Sequence, residues 1–349
     1  MKHFRAYLGK LSWAASGTPY IDIERGNFLR RLILFVDGGF TLAAGSASGT
    51  ARSEAPSGIF SRIRLVGDGI GNIKDFDGTG LHLSTRMHNM INAPVVTSDG
   101  SAAAHVLRSI YTLDFAQNYK RNMRPADTFL DTRRFSTLKL ETDFSANLRD
   151  AVLSGCDRTE SLSTATIHVY GDYERPHANF GEPLLYVQNK MAIPVVATAS
   201  DLRFPLNVDQ TYKNLILSAQ VKASGGQFTG NNSLLVDYNL EFNANRTPLK
   251  KINFLMQQYL DTLDLGTTEV QAGGNFLQFD NDSSLKESLV TLNGSSLAFI
   301  LNVALQSGTN EIWAYPGILK AWPYDMRNTA CIPAASAAVP LVPTNRNAS

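Results

Sequence analysis

The strongest constraint in this sequence is an alternation of period two that recurs along most of its length. In SLLVDYNLEF (233–242), Leu234, Val236, Tyr238, Leu240 and Phe242 fall on one face, with Asp237, Asn239 and Glu241 on the other. SLAFILNVAL (296–305) aligns Leu297, Phe299, Leu301, Val303 and Leu305, and STLKLETDF (136–144) sets Leu138, Leu140 and Phe144 against Lys139, Glu141 and Asp143. Side chains of a strand point alternately to opposite faces, so each segment predicts a strand with one face on a core. Further strands are predicted at 28–36, 59–66, 106–115, 165–173, 212–221, 285–293 and 311–321. The chain reads as all-β with a few short helices.

The clearest helix is predicted at 248–263. Thr247 suits the N-cap, Pro248 the first helical position, and Leu249, Ile252, Met256, Tyr259 and Leu263 form one stripe. A shorter helix is predicted at 85–92, ending before Ala93-Pro94. The N-terminal MKHFRAYLGKL fits a small basic amphipathic helix, with Phe4, Leu8 and Leu11 on one side and Lys2, Arg5 and Lys10 among them.

The chain writes its opening twice. GNFLRRLILFVDGGFTLAAGSASGT (26–50) runs an apolar strand into a wide loop of small residues, and YKNLILSAQVKASGGQFTGNN (212–232) does the same about half a chain-length later. Each is followed by a second strand and then a helix. Between the halves, 173–205 carries four prolines and little alternation and reads as a crossover. The segment beyond Tyr324 is rich in Ala and Pro and does not read as a folding unit. The expected division is an N-terminal arm or amphipathic helix (1–20), a first unit (21–175), a crossover (176–205), a second unit (206–323) and an extended tail (324–349). Two sandwiches of about eight strands each fit, and the strand–wide loop–strand opening suits a jelly roll better than a meander.

Composition narrows the function classes. With 32 basic and 31 acidic residues, nothing in the total charge points to specific nucleic acid. The charged fraction of 18% against 44% hydrophobic argues for extensive buried surface, some of it between subunits. Two cysteines, Cys156 and Cys331, are too few for a disulfide scaffold or a cysteine-ligated zinc site. Lys2, Arg5 and Lys10 interrupt the N-terminus, so it does not read as a secretion signal, and no stretch approaches the ~18 apolar residues of a membrane helix. The five Asn-x-Ser/Thr matches then read as polar loops.

Catalytic motifs are missing where they would be sought. GDGIGN (67–72) ends in Asn72 where a dinucleotide fingerprint needs glycine, so it reads as a turn. DFDGTG (75–80) brings its glycine too early for a calcium loop, and DNDSS fares no better. His82 and His88 flank the short helix without metal spacing. Trp313 and Trp322 read as core or interface residues, and Arg30 and Arg31 as the wet end of a strand or a subunit contact. Carboxylates that converge only in space remain open to a glycosidase reading. No catalytic, cofactor or metal residue is assigned, and no enzyme activity is expected.

The paired openings GNFLRRLILFVDGGFTL and QTYKNLILSAQVKASGGQFT, with their second strands GIFSRIRLVGDG and NSLLVDYNLEF and following helices, resemble double jelly-roll major capsid proteins. That lineage is shared by tailless membrane-containing phages, adenoviruses and related archaeal viruses, and the resemblance runs from about residue 20 to 322. It implies two tandem eight-stranded jelly rolls and homotrimers with a pseudo-hexagonal outline that tile an icosahedral shell around an internal membrane. The implied partners are further copies of the chain, vertex or minor capsid proteins, and viral membrane lipids. The implied location is the virion, assembled in the host cytoplasm. Lys2, Phe4, Arg5, Leu8, Lys10 and Leu11 then form a candidate arm against lipid or a neighbouring subunit. The competing reading is a glycan-binding, adhesin or spike-type β-sandwich protein.

Overall fold

The computed structural model describes residues 3–45, 49–52, 54–89, 102–116, 125–176, 183–222, 227–243, 245–246, 252–265, 272–279 and 288–322. Lys2, Cys331, the predicted cap at Thr247-Pro248 and the tail 324–349 lie outside these residues.

The first half contributes β1 (His3–Ser12), β2 (Phe28–Leu42), β3 (Phe60–Gly67), β4 (Gly71–Phe76), α1 (Gly78–Asn89), β5 (Ala104–Asp114), β6 (Leu138–Phe144) and β7 (Glu160–Glu174). One sheet runs β1-β7-β2-β5, and β6, β3 and β4 face it. The inward residues of the alternating strands fill the space between: Leu32, Leu34 and Val36 from β2 meet Ile63 and Leu65 from β3 and Leu140 from β6. Period two in the sequence thus becomes one buried face per strand.

β8 (Leu185–Asn189), β9 (Met191–Val195) and β10 (Ala199–Leu206) lie in the stretch read as a crossover. Then come β11 (Thr211–Lys222), β12 (Leu235–Phe242), α2 (Phe254–Leu265), β13 (Gly274–Gln278), β14 (Leu297–Val303) and β15 (Thr309–Lys320). β10-β14-β12 form one layer of a second sandwich. Its core joins Phe204, Tyr238, Leu240 and Phe299 of that layer to Leu215 and Leu217 of β11.

The two sandwiches share an eleven-stranded sheet whose central order is β11-β15-β8-β4-β3-β6. The join is parallel: Gln188 and Asn189 of β8 pair with Lys74 and Asp75 of β4. β11 is therefore buried on both faces, Leu215, Leu217 and Ala219 in its own core and Ile216 in the first.

The N-terminal segment is not a helix but the edge strand β1, paired with β7 from His3↔Glu174 to Ser12↔Thr166. α1 begins at Gly78, ahead of the predicted 85, because Asp77 Oδ1 caps it by accepting from the Gly80 amide at 2.8 Å. α2 begins at Phe254 after Ile252–Asn253 has paired as strand, and Asn253 Oδ1 accepts from the Met256 amide at 3.0 Å. Of the strand predicted at 285–293, the pairing seen is Leu289–Val290, and 285–287 lie outside the described residues.

Candidate assembly surfaces

The two sandwiches meet in a seam of close-packed rings and ion pairs. Ile216 of β11 and Tyr315 of β15 are cross-strand neighbours, both 0% exposed, on the face the first sandwich covers. Gly80 of α1 lies flat against the Tyr315 ring, leaving no room for a Cβ. The Tyr315 hydroxyl donates to Asp77 Oδ1 at 2.8 Å, and the other Asp77 oxygen pairs with Lys190. Burial first, and then the Asp77 charge, raise the Tyr315 phenol well above its usual range. The Lys190 ammonium stands 3.3 Å over the Trp313 ring.

Deeper in the seam, Lys74 Nζ lies 3.4 Å from the Tyr186 ring centre and donates to Gln188 Oε1 at 3.3 Å. Burial, and behind it the charge of Lys213, push Lys74 well below the lysine range. His88 Nδ1 lies 2.9 Å from the Ser84 carbonyl, which can only accept, so Nδ1 carries the proton. Burial, helped by Lys213 and Lys74, lowers the His88 imidazole to about 3. His82 and His88 are both buried, and both lie on α1.

Among the described residues, the corresponding face of the first sandwich has no such cover. Strand register aligns Tyr7, Tyr170 and Ile33 in one outward row. The next row is Lys10, His168, Phe35 and Ile110. Tyr7 and Tyr170 rings lie 5.1 Å apart, Phe35 stacks on His168 at 6.1 Å, and the Tyr7 hydroxyl is 3.3 Å from His168 Nδ1. Tyr7 is 53% exposed, and Ile110 and Val106 on the same sheet are also exposed. The outer face of β10-β14-β12 is more polar, with Arg203 and Glu241 paired at 2.7 Å.

α2 is inverted relative to an ordinary surface helix. Gln258 and Asp261 point inward: Gln258 Nε2 donates to Asn232 Oδ1 at 2.8 Å, and Asp261 Oδ2 accepts from the Phe276 amide at 2.8 Å. Leu255, Met256, Tyr259 and Leu260 face outward, with Met256 60% and Tyr259 58% exposed. The predicted stripe therefore includes Met256 and Tyr259, but they point away from the core. Together they form a contiguous exposed apolar stripe along α2.

The candidate arm residues are integrated into the first sandwich. Leu11 is buried in its core, with Phe4 and Leu8 packed against it, and Phe4 stacks on Tyr173 at 5.5 Å. Arg5 Nε donates to Asp172 Oδ1 at 2.6 Å, and Arg31 Nε to Asp172 Oδ2 at 2.8 Å. Asp172 is 1% exposed; burial works to raise its carboxyl, but the two arginines outweigh it and hold it below the usual range. Lys10 is exposed. Lys2 lies outside the described residues.

Among the described residues, no group of three or more His, Cys, Asp or Glu is placed to hold a metal ion. Asp75 pairs with Arg62 at 2.7 Å. In the cleft of about 550 Å³ between the sandwiches, Asp77, Asp150 and Glu311 are held by Lys190, Arg149 and the Trp313 indole. Trp322 donates to the Pro183 carbonyl at 2.8 Å and packs edge-on against Phe135.

Sequence reasoning missed the two open surfaces, although a signal exists. RLILF and NLILS align Ile33 with Ile216, and IHVY and IWAY align Tyr170 with Tyr315.

No family model matches the sequence, and no curated protein matches it. Solved structures do match. The major capsid protein of STIV, the Sulfolobus turreted icosahedral virus, superposes with a TM-score of 0.71 at 14% identity, over 95% of this chain and all of that one. The major capsid protein P2 of bacteriophage PM2 gives 0.58 at 11% identity over 92% and 99%. The PBCV-1 virus capsid protein gives 0.56 at 10% over 91% and 95%. The chain is a double jelly roll, with the fold of these capsid proteins.

Proposed function

We propose that this chain is a major capsid protein, a structural protomer whose copies associate into pseudo-hexagonal trimers that tile an icosahedral viral shell. The observation that carries this reading is the pair of like sandwiches fused side by side through one sheet, matched over more than nine-tenths of the chain by the STIV and PM2 capsid proteins. Two equivalent units per chain give six corners to a ring of three, and six-cornered blocks pack a plane without gaps. In the cleft between the sandwiches Asp77 and Asp150 are committed to ion pairs and Glu311 to the Trp313 indole, which accords with a structural role. The partners are foremost other copies of the chain, and its place is the virion shell.

Light scattering on the purified 38.2 kDa chain, followed by negative-stain imaging of the same peak, tests the proposal. A mass about three times the chain with a hexagonal outline is expected, with obligate interfaces above ~2,000 Å². A monodisperse monomer up to high concentration would overturn it.

A further inference from the structure

We infer that α2 of one copy docks on the outer face of the β1-β7-β2-β5 sheet of the next copy, repeating between chains the seam that α1 makes within one. The inference rests on the self-assembly reading above and assigns its contact surfaces. Each sandwich has the same parts in the same order. β2 and β11 are equivalent first strands, β7 and β15 pair with them, and β1 pairs with β7 as β8 and β9 pair with β15. α1 and α2 are both twelve-residue helices set ahead of β5 and β13, the strands that pair with β2 and β11.

Within the chain, the outward Ile216–Tyr315 pair of the second sandwich is buried under α1. The equivalent Ile33–Tyr170 pair of the first sandwich has the same register and side chains, yet stays partly open beside exposed Tyr7 and Ile110. The helix side shows the reverse imbalance. α1 is covered along its length, whereas α2 turns Leu255, Met256, Tyr259 and Leu260 outward. Among the described residues an open sheet face and an open helix face remain, and in the seam these two kinds of face meet.

A chain cannot join its own two free faces through the seam it already has, so a second copy is the occupant that satisfies both. The contact is heterologous, and such contacts close into rings when the rotation permits. The outward helix stripe carries no charged side chain, and the sheet patch sets Tyr7, Tyr170, Ile33, Phe35 and Ile110 between the Arg5–Asp172–Arg31 and Arg108–Asp37 ion pairs, with His168 within it and Lys10 at its β1 edge. At about 150–200 Å² for a large side chain, half exposed, the helix stripe offers on the order of 300–400 Å². With a matching sheet patch it supplies the apolar centre, roughly half, of a standard ~1,600 Å² interface. The outward side chains of β1, Tyr7 and Lys10, then contact a neighbouring copy.

Two variants of the full chain test this: Met256→Glu/Tyr259→Glu on the helix and Tyr7→Glu/Ile110→Glu on the sheet. All four side chains are exposed, and far-UV circular dichroism checks that each variant is folded. Each alone is expected to run as a 38.2 kDa monomer where the wild type is oligomeric. Mixed one to one, they are expected to give a dimer and nothing larger, because only one intact helix–sheet pairing is available. A wild-type oligomer with both variants still oligomeric overturns the inference and leaves the capsid reading standing. Monomeric variants that stay monomeric on mixing overturn the head-to-tail pairing. A monomeric wild type overturns both readings. Hydroxyl-radical footprinting of the wild-type oligomer gives a second readout without helix substitutions. Met256 and Tyr259 should be modified several-fold more slowly than in the sheet variant, and equal rates refute the contact.

Discussion

His88 makes the seam sensitive to acid by an amount that follows from its burial. The imidazole sits between α1 and the second sandwich, donates from Nδ1 to the Ser84 carbonyl, and is lowered from 6.5 to about 3 by burial and by Lys213 and Lys74. In the unfolded chain it titrates near its ordinary value. Above about pH 6.5 both states are neutral there and the group is silent. As pH falls, the unfolded state takes up a proton that the folded state refuses, so stability declines until the folded value is reached. At pH 4 protonation favours the unfolded state about 300-fold, and the histidine alone withdraws ~3 kcal/mol. His88→Gln removes that term. Urea unfolding of both proteins, at one fixed protein concentration, is compared at pH 7.5 and pH 4. Carboxylates weaken both chains alike, so the wild type should lose ~3 kcal/mol more than the variant, about 1 M in urea midpoint for a slope near 3 kcal/mol/M. The absolute cost of the substitution cancels in this difference. Equal losses would refute the reasoning, because the imidazole would then be hydrated or already charged in the folded seam.

Leu11→Ala should cost about 2–4 kcal/mol because the side chain is buried in the first core, whereas Lys10→Ala should stay within ~0.5 kcal/mol. Thermal melts of the two report whether β1 is part of the sandwich, and equal small effects would mean a loosely attached arm. Asp172→Asn breaks the pair with Arg5 and Arg31. Because Arg5 is more than half exposed, the loss is discounted to about 1–2 kcal/mol. The wild-type carboxyl is held below its usual value, so this stability is present above about pH 4 and is lost as pH falls through the folded value. The variant should lack that acid step in a melt series. Gly80→Ala drives a methyl into the Tyr315 ring and should cost about 1–3 kcal/mol, read as a lower melting temperature and a perturbed tyrosine near-UV signal. An unchanged near-UV spectrum would place the helix farther from the second sandwich than the structure has it.

The all-β class, most of the strands and the duplicated opening are legible in the amino-acid order alone. These follow from local chemistry: alternation assigns faces within a strand, and LIL in both halves marks the same buried–outward–buried register at Leu32–Leu34 and Leu215–Leu217. Alternation does not say what lies against each face. The N-terminal segment is a case where the local signal misleads. Phe4, Leu8 and Leu11 are spaced like a helix face because a bulge between Tyr7 and Gly9 inserts one residue into a strand. Gly9, at φ 141°, permits that irregularity.

The segment read as a crossover holds β8, β9 and β10 because pairing with β15, β4 and β14 supplies hydrogen bonds that a local reading cannot see. Met256 and Tyr259 belong to one helical stripe in sequence, but only packing decides which side of α2 meets the chain. The inward anchors are Gln258 and Asp261, held by Asn232 and the Phe276 amide far along the chain. The same holds for the two Ile–Tyr pairs, alike in sequence and register: one is sealed under α1 and the other stays partly exposed among the described residues, because α1 packs on the second sandwich and not on the first one's outer face.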